Sequence, residues 1–127
     1  MSVPAWGAQK ATPHPVFKEG STTMTRQAIA YPAGGTAEIT SFRLPFEPGG
    51  EVGWHKHVVP THIYVIEGTL TVEFSDGSQQ AFEEGTGFLP MLNVWHNARN
   101  LGSGPLTALA VVAGEQEKAG IIFRDSQ

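Results

Sequence analysis

The sequence predicts an all-β fold, a sandwich or a barrel of short strands, and three observations support this prediction. Short runs of β-branched, aromatic and alternating apolar residues recur about every 8–12 residues from Arg26 onward. Fifteen glycines and nine prolines are spread over the 127 residues, and such residues are typical of turns. No window carries a convincing helical stripe of apolar residues, and the two weak helix candidates cover residues 22–30 and 115–119.

The predicted strands follow one another closely along the chain. They cover residues 38–44, 51–57, 63–66, 69–74, 80–83, 88–90, 94–99, 106–113 and 121–123. The first strand is expected to end at Pro45, because proline lacks the N–H group that a sheet requires. Asp76 and Gly77 form the strongest hairpin signal, because a tight primed turn needs positive φ. The run 106–113 is apolar throughout, which predicts a strand buried on both faces.

Composition excludes several classes of function. The chain has no cysteine, so it has no disulfide, thiolate metal site or cysteine nucleophile. A formal net charge of −4 argues against a nucleic-acid partner. The longest apolar run is far shorter than the roughly 20 residues of a membrane helix. No membrane partner is therefore expected. The first 20 residues show no intact signal peptide, so a cytoplasmic location is expected, or a periplasmic one if a signal has been removed.

The chain is predicted to be one domain with an irregular N-terminal arm. A length of 127 residues fits a single domain. Residues 1–22 are rich in proline and show little periodicity, whereas residues 23–127 carry the predicted strands. Trp6 and Phe17 in the arm could cover the barrel or a partner subunit.

The histidines are the residues that carry chemical information. His55 and His57 are two positions apart, so on a strand both side chains point to the same face. Two imidazoles at this spacing can meet one cation. The pair therefore favours a metal site over the alternative of two histidines that only serve packing.

Two segments resemble the two motifs of the cupin superfamily. The first segment reads Gly49-x5-His55-x-His57-x3-Thr61-x6-Gly68. The second runs from Gly85 through Pro90 to His96-x3-Asn100, with Asn93 where the family has a turn glycine. Asparagine tolerates the left-handed conformation better than most residues other than glycine. The resemblance implies an all-β jelly roll, also called a double-stranded β-helix barrel.

The resemblance also implies a metal site made of His55, His57 and His96. The family's usual carboxylate ligand is replaced by Thr61, whose hydroxyl is a poor ligand. His62 becomes a fourth candidate ligand if the gap is counted one residue longer. Strand alternation instead puts Thr61 on the inner face and His62 on the outer face. Neither Glu67, in a turn, nor Glu73, on a solvent face, is expected to replace the carboxylate.

Three neutral ligands leave the ion its full charge and leave coordination positions open, which is typical of catalytic sites. The ion could be Fe, Zn, Mn, Ni or Cu, because imidazole suits many divalent metals. The resemblance implies a metalloenzyme acting on a small organic molecule, and dioxygenase chemistry is favoured because no inward carboxylate base is evident. The alternatives are a Lewis-acid lyase or isomerase, a ligand-binding or sensor cupin without catalysis, and a structural domain.

The substrate pocket is predicted to include Phe88, Thr61 and Ile63. Arg43 becomes a candidate anion-binding group if Ile39, at the same strand parity, faces inward. Trp54 and Trp95 each precede a candidate ligand, so they should point away from the barrel axis. Small cupins are commonly dimers, so the resemblance also implies a homodimer.

Overall fold

A computed structural model describes residues 12–124. Nine strands follow one another in this part of the chain: β1 (Ala37–Phe46), β2 (His55–His57), β3 (Thr61–Glu67), β4 (Thr69–Phe74), β5 (Gln79–Glu83), β6 (Gly87–Phe88), β7 (His96–Arg99), β8 (Leu106–Glu115) and β9 (Ile121–Phe123). The predicted all-β fold is confirmed. Strand β4 has the predicted bounds, as does β9, whereas β2 and β7 are shorter than predicted. The expected end of β1 at Pro45 is wrong: the strand continues to Phe46, because β1 is an edge strand, where proline is tolerated.

The strands form two antiparallel sheets that face each other. One sheet has the order β1-β8-β3-β6, and the other has the order β5-β4-β7-β2-β9. Apolar side chains from the inner faces of both sheets form a single core. This arrangement is the jelly roll, in which two sheets enclose an interior that can hold a site.

Strand β8 lies in the middle of its sheet, paired with β1 and β3. Its inward side chains are fully or almost fully buried, and these are Leu106, Ala108, Ala110 and Val112. The outward residues Leu109 and Val111 are only half-buried. The expectation that β8 is buried on both faces is therefore correct for one face only. The outer face carries apolar residues and is partly covered, since Thr107 on the same face is 6% exposed.

Two turns adopt the left-handed backbone that the sequence predicted. Gly77 has a φ of 90° and closes the predicted β4–β5 hairpin, but Asp76 does not have a positive φ, so the turn is not the tight primed turn that was expected. Asn93 has a φ of 58°, and its N–H donates to the carbonyl of His57 at 2.8 Å. The turn before β7 is thereby held against strand β2.

The two helix candidates are wrong, because both segments form turns. In the first, Thr22 bridges to Ala28. The Thr23 hydroxyl accepts the Gln27 N–H at 3.1 Å, and Arg26 adopts a φ of 67°. A threonine side chain that bonds to nearby backbone in this way competes with the helix. In the second, Glu117 has a φ of 63°, which a helix does not allow.

The two tryptophans predicted to point away from the barrel axis do so, and part of the N-terminal arm packs against the barrel. Trp54 and Trp95 lie outside the barrel, where the Arg124 guanidinium packs over both rings at 5.0 and 5.8 Å. From the arm, Phe17 packs against His62, with ring centroids 5.2 Å apart. Trp6 lies outside the described residues. The domain boundary and the homodimer stay predictions.

Between residues 12 and 124, no helix is long and apolar enough to cross a membrane.

Candidate metal centre

Three histidines converge on the inner face of the five-stranded sheet. His55 and His57 occupy alternate positions of β2, and His55 pairs directly with His96 on the neighbouring strand β7. One ring nitrogen from each of the three lies within 4.8 Å of the others. All three side chains are buried, with 2–4% of each residue exposed. The fold therefore brings together residues from both motif segments, 41 positions apart at the extremes by their numbering.

Backbone carbonyls orient two of the rings. The Nδ1–H of His55 donates to the Gly53 carbonyl at 2.6 Å, and the Nδ1–H of His96 donates to the Val94 carbonyl at 2.8 Å. A histidine that donates from one ring nitrogen has the other free as an acceptor or metal ligand. Both rings therefore present Nε2 as the ligand atom. The Nδ1 of His57 is buried and has no hydrogen-bond partner.

The environment keeps these rings uncharged. Burial lowers the pKa of His57 from 6.5 to about 3, with further lowering by His55 and His96. Burial also lowers the pKa of His96 to about 4, although its bond to Val94 acts in the opposite direction. The pKa of His55 is lowered by burial as well. A metal requires the neutral imidazole, so the cluster is in the protonation state that binds a cation.

The histidines form one wall of a cavity of about 250 Å³ between the two sheets. The four-stranded sheet contributes Phe42, Leu44, Phe46, Ile63, Phe88 and Ala110. The five-stranded sheet contributes, besides the histidines, Leu70, Val72, Ala98, Ile121 and Phe123. Val52 and Pro90 complete the lining. No charged side chain is among these lining residues.

The predicted pocket residues fall into two groups. Phe88 and Ile63 line the cavity, and Phe88 stacks on Phe82 at a centroid distance of 3.7 Å. Thr61 is buried on the same face of β3 but is not among the residues that line the cavity. Its hydroxyl donates to the Val59 carbonyl at 3.2 Å.

Two candidate site residues point away from the cavity. Arg43 lies on the outer face of β1, because Phe42 and Leu44 at the opposite parity line the cavity. His62 lies on the outer face of β3, under Phe17 and beside Gly87. It is not part of the histidine cluster. Its pKa is lowered by burial. Arg43 is therefore not among the residues that line the cavity, and His62 lies apart from the three clustered histidines.

The sequence analysis missed Asn97, which supports the cluster from behind. Its side chain is buried, and its Oδ1 accepts the Gly53 N–H at 2.9 Å. Its Nδ2 donates to Glu51 at 2.9 Å and to Glu73 at 3.3 Å. Asn97 thus holds the backbone N–H of Gly53, the residue whose carbonyl orients His55. Because these partners lie 24–46 residues away in the chain, no local pattern signals this role.

The family model for the cupin domain, Cupin_2, matches residues 42–112. The chain belongs to the cupin family. This match spans the strands from β1 to β8 and includes all three clustered histidines. No curated protein matches the sequence.

Solved structures share the cupin's fold. A double-stranded β-helix protein from Klebsiella pneumoniae is 20% identical with a TM-score of 0.59, and the alignment covers 87% of this chain and 91% of that one. A cupin domain from Bordetella pertussis is 25% identical with a TM-score of 0.50, over 68% and 85% of the two chains. An oxalate decarboxylase from Lactobacillus farciminis is 22% identical with a TM-score of 0.56, over 67% and 26%.

The donor set fits a divalent metal ion. Three buried, uncharged imidazoles offer ring nitrogens to one point, and one of these rings has a buried nitrogen without a partner. Imidazole nitrogen is a ligand for Fe, Zn, Ni and Cu, so the cluster does not select one metal. Three protein ligands are the arrangement of a site with an open position for water or substrate.

Replacing His57 by alanine should remove most of the metal and leave the fold intact. Loss of a partner that only orients a ligand already costs about 10–100-fold in metal affinity, so loss of a ligand should cost more. The matched control is His62→Ala, which removes the same side chain on the outer face of β3. Metal occupancy by elemental mass spectrometry and the melting temperature should separate the two variants. Equal occupancy in both would show that His57 is not a ligand.

The metal-free protein should lose stability as the pH falls below about 6.5, the pKa of histidine in an unfolded chain. In the folded state the pKa of His57 is about 3 and that of His96 is about 4. Between these values and 6.5 the unfolded chain binds protons that the folded chain does not, which favours unfolding. In urea denaturation at a series of pH values, the free energy of unfolding should fall less steeply with falling pH in His57→Gln than in the wild type. An equally steep decline would contradict the burial of a neutral His57.

Proposed function

We propose that this cupin is a metal-dependent enzyme that oxidises a small organic molecule with O₂ at the His55–His57–His96 site. The observation that carries the proposal is the combination of a three-histidine cluster with a cavity that has no other titratable group in its lining. A bound divalent metal, iron by preference, would supply the redox chemistry with O₂.

The protein's own residues would bind the ion, orient the substrate and exclude water. The three imidazoles would be neutral ligands, so they would leave the positive charge of a bound ion available to an anionic or chelating group of the substrate. The apolar walls from both sheets keep the interior dry, which strengthens electrostatic interactions there. Backbone carbonyls of Gly53 and Val94 fix two of the rings, so the ligands are positioned before the ion arrives.

Proton-transfer chemistry is the second candidate, and the cavity argues against it. A lyase or isomerase needs a general base within hydrogen-bond reach of the substrate. Glu73 is held outside by Asn97 and by Arg99 at 3.3 Å. His62 faces away from the cavity under Phe17. The lining residues therefore offer no base apart from the proposed ligands.

The proposal is tested by assaying iron-loaded and zinc-loaded protein side by side. Both forms are incubated with the same set of small phenols, ortho-diols and ketones, and O₂ uptake and substrate loss are measured. Oxidation predicts O₂ uptake that matches substrate loss in the iron form and no reaction in the zinc form. His57→Ala should abolish the uptake, whereas His62→Ala should leave it unchanged.

Other outcomes would overturn the proposal in distinct ways. Substrate loss in both forms without O₂ uptake would indicate Lewis-acid chemistry. Binding without substrate loss in either form would indicate a ligand-binding cupin. Failure to bind either metal would remove the metalloenzyme altogether.

A further inference from the structure

We infer that the substrate is a compact molecule with a single polar, metal-binding group and an apolar body of about one aromatic ring. This inference rests on the proposed function, because the metal would bind the polar group. Its evidence is separate, however, since it comes from the walls of the cavity rather than from the histidines.

The lack of charged side chains in the cavity lining limits the charge that a substrate can carry. Apart from the three histidines, no titratable side chain lines the cavity. Arg43 lies on the outer face of β1, and Arg99 pairs with Glu73 on the outer side of the other sheet. A second carboxylate or phosphate on the substrate would therefore be buried without a partner. Such a group is expensive to bury, so the cavity rejects molecules that carry one.

The cavity walls also offer few hydrogen-bonding partners to neutral polar groups of a substrate. The cavity walls contain phenylalanine, leucine, isoleucine, valine, alanine and proline side chains, which neither donate nor accept hydrogen bonds. Thr61 directs its hydroxyl to the Val59 carbonyl instead. A sugar or another molecule with several hydroxyls would leave those groups unsatisfied. Binding therefore favours a molecule whose polarity is confined to the end that meets the metal.

The volume of the cavity limits the size of the substrate. The cavity volume of about 250 Å³ is smaller than the roughly 300–1,000 Å³ of pockets that take drug-sized ligands. An engineered cavity of about 150 Å³ holds benzene. The space here therefore admits one ring with its polar group beside the metal. Phe88 and Ile63 on the sheet opposite the histidines supply the surface on which the ring would pack.

A groove beside the cavity is the proposed entrance for the substrate. Strands β1 and β9 are edge strands of the two sheets, and residues of both line a second, more open groove. Phe42, Ile121 and Phe123 line both the groove and the cavity, so they mark the passage between them. Phe42 is 43% exposed and Phe123 is 57% exposed. An apolar body can pass these side chains without losing hydrogen bonds to water.

The test uses zinc-loaded protein, in which binding occurs without oxidation, and isothermal titration calorimetry. The probes are benzoate, acetate and terephthalate, which share one carboxylate for the metal. Benzoate should bind at least about tenfold more tightly than acetate, which lacks the ring, and at least about tenfold more tightly than terephthalate, which adds a second charge. Terephthalate binding as tightly as benzoate would overturn the inference.

Phe42→Arg should reverse part of this preference. The substitution places the missing cation at a partly exposed position of the lining, so terephthalate should gain at least about tenfold relative to benzoate. The matched control is Ser41→Arg, which adds the same charge on the outer face of the same strand and should leave the ratio unchanged. A gain in both variants would mean that net charge, not the cavity, selects the ligand.

Metal-free protein separates this inference from the proposed function. Toluene has the apolar body without the metal-binding group, so it should shift the NMR signals of Phe88, Ile63 and Ala110 with no metal present. If toluene binds there and zinc does not bind, the metalloenzyme fails and the apolar site stands. If zinc binds and toluene does not, the substrate class is wrong while the metal site stands.

Discussion

Three imidazole rings are buried side by side in this barrel, and they can be buried only because they are uncharged. Desolvation of a charged ring between two apolar sheets would be expensive, and three such rings would also repel one another. This cost of desolvation is the main reason that the pKa of His57 is lowered to about 3. A divalent ion suits such a cluster, because it brings positive charge that neutral nitrogen lone pairs can stabilise. The apolar lining and the absence of a base among the lining residues both concern the space beside these three rings.

Support for the histidines comes mostly from backbone, and the backbone is itself supported by polar residues on the outside of the sheet. Asn97 has all of its hydrogen-bonding groups in use, with Glu51 and Glu73 on one side and the N–H groups of Gly53 and Ala98 on the other. It follows His96 directly, so the strand alternation that turns His96 inward turns Asn97 outward. His96, a candidate ligand, and Asn97, which supports the backbone beside His55, thus occupy consecutive positions of one strand.

Local patterns in the sequence predicted most of the strands and the pairing of His55 with His57 on one face, whereas the jelly roll and the place of His96 in the cluster were implied by the resemblance to the cupin motifs. The His-x-His spacing places two rings on one face of any strand, and Gly77 and Asn93 have the backbone their turns require. The prediction for Arg43 depends on which face of β1 points inward. Alternation gives the period of a strand but not its phase, and β1 carries apolar residues on both faces, with Ile39 on the outer face 65% exposed. The cavity residues of β9 and the role of Asn97 depend on contacts between distant segments, which no local pattern records.

If His55, His57 and His96 hold one divalent ion together, crystals of the zinc-loaded cupin should show it by anomalous diffraction recorded on both sides of the zinc absorption edge. One anomalous peak per chain is expected in the cavity, about 2.0–2.1 Å from a ring nitrogen of each of the three histidines. A peak bound by fewer than three of them, or a zinc ion elsewhere with the cluster empty, would contradict this arrangement.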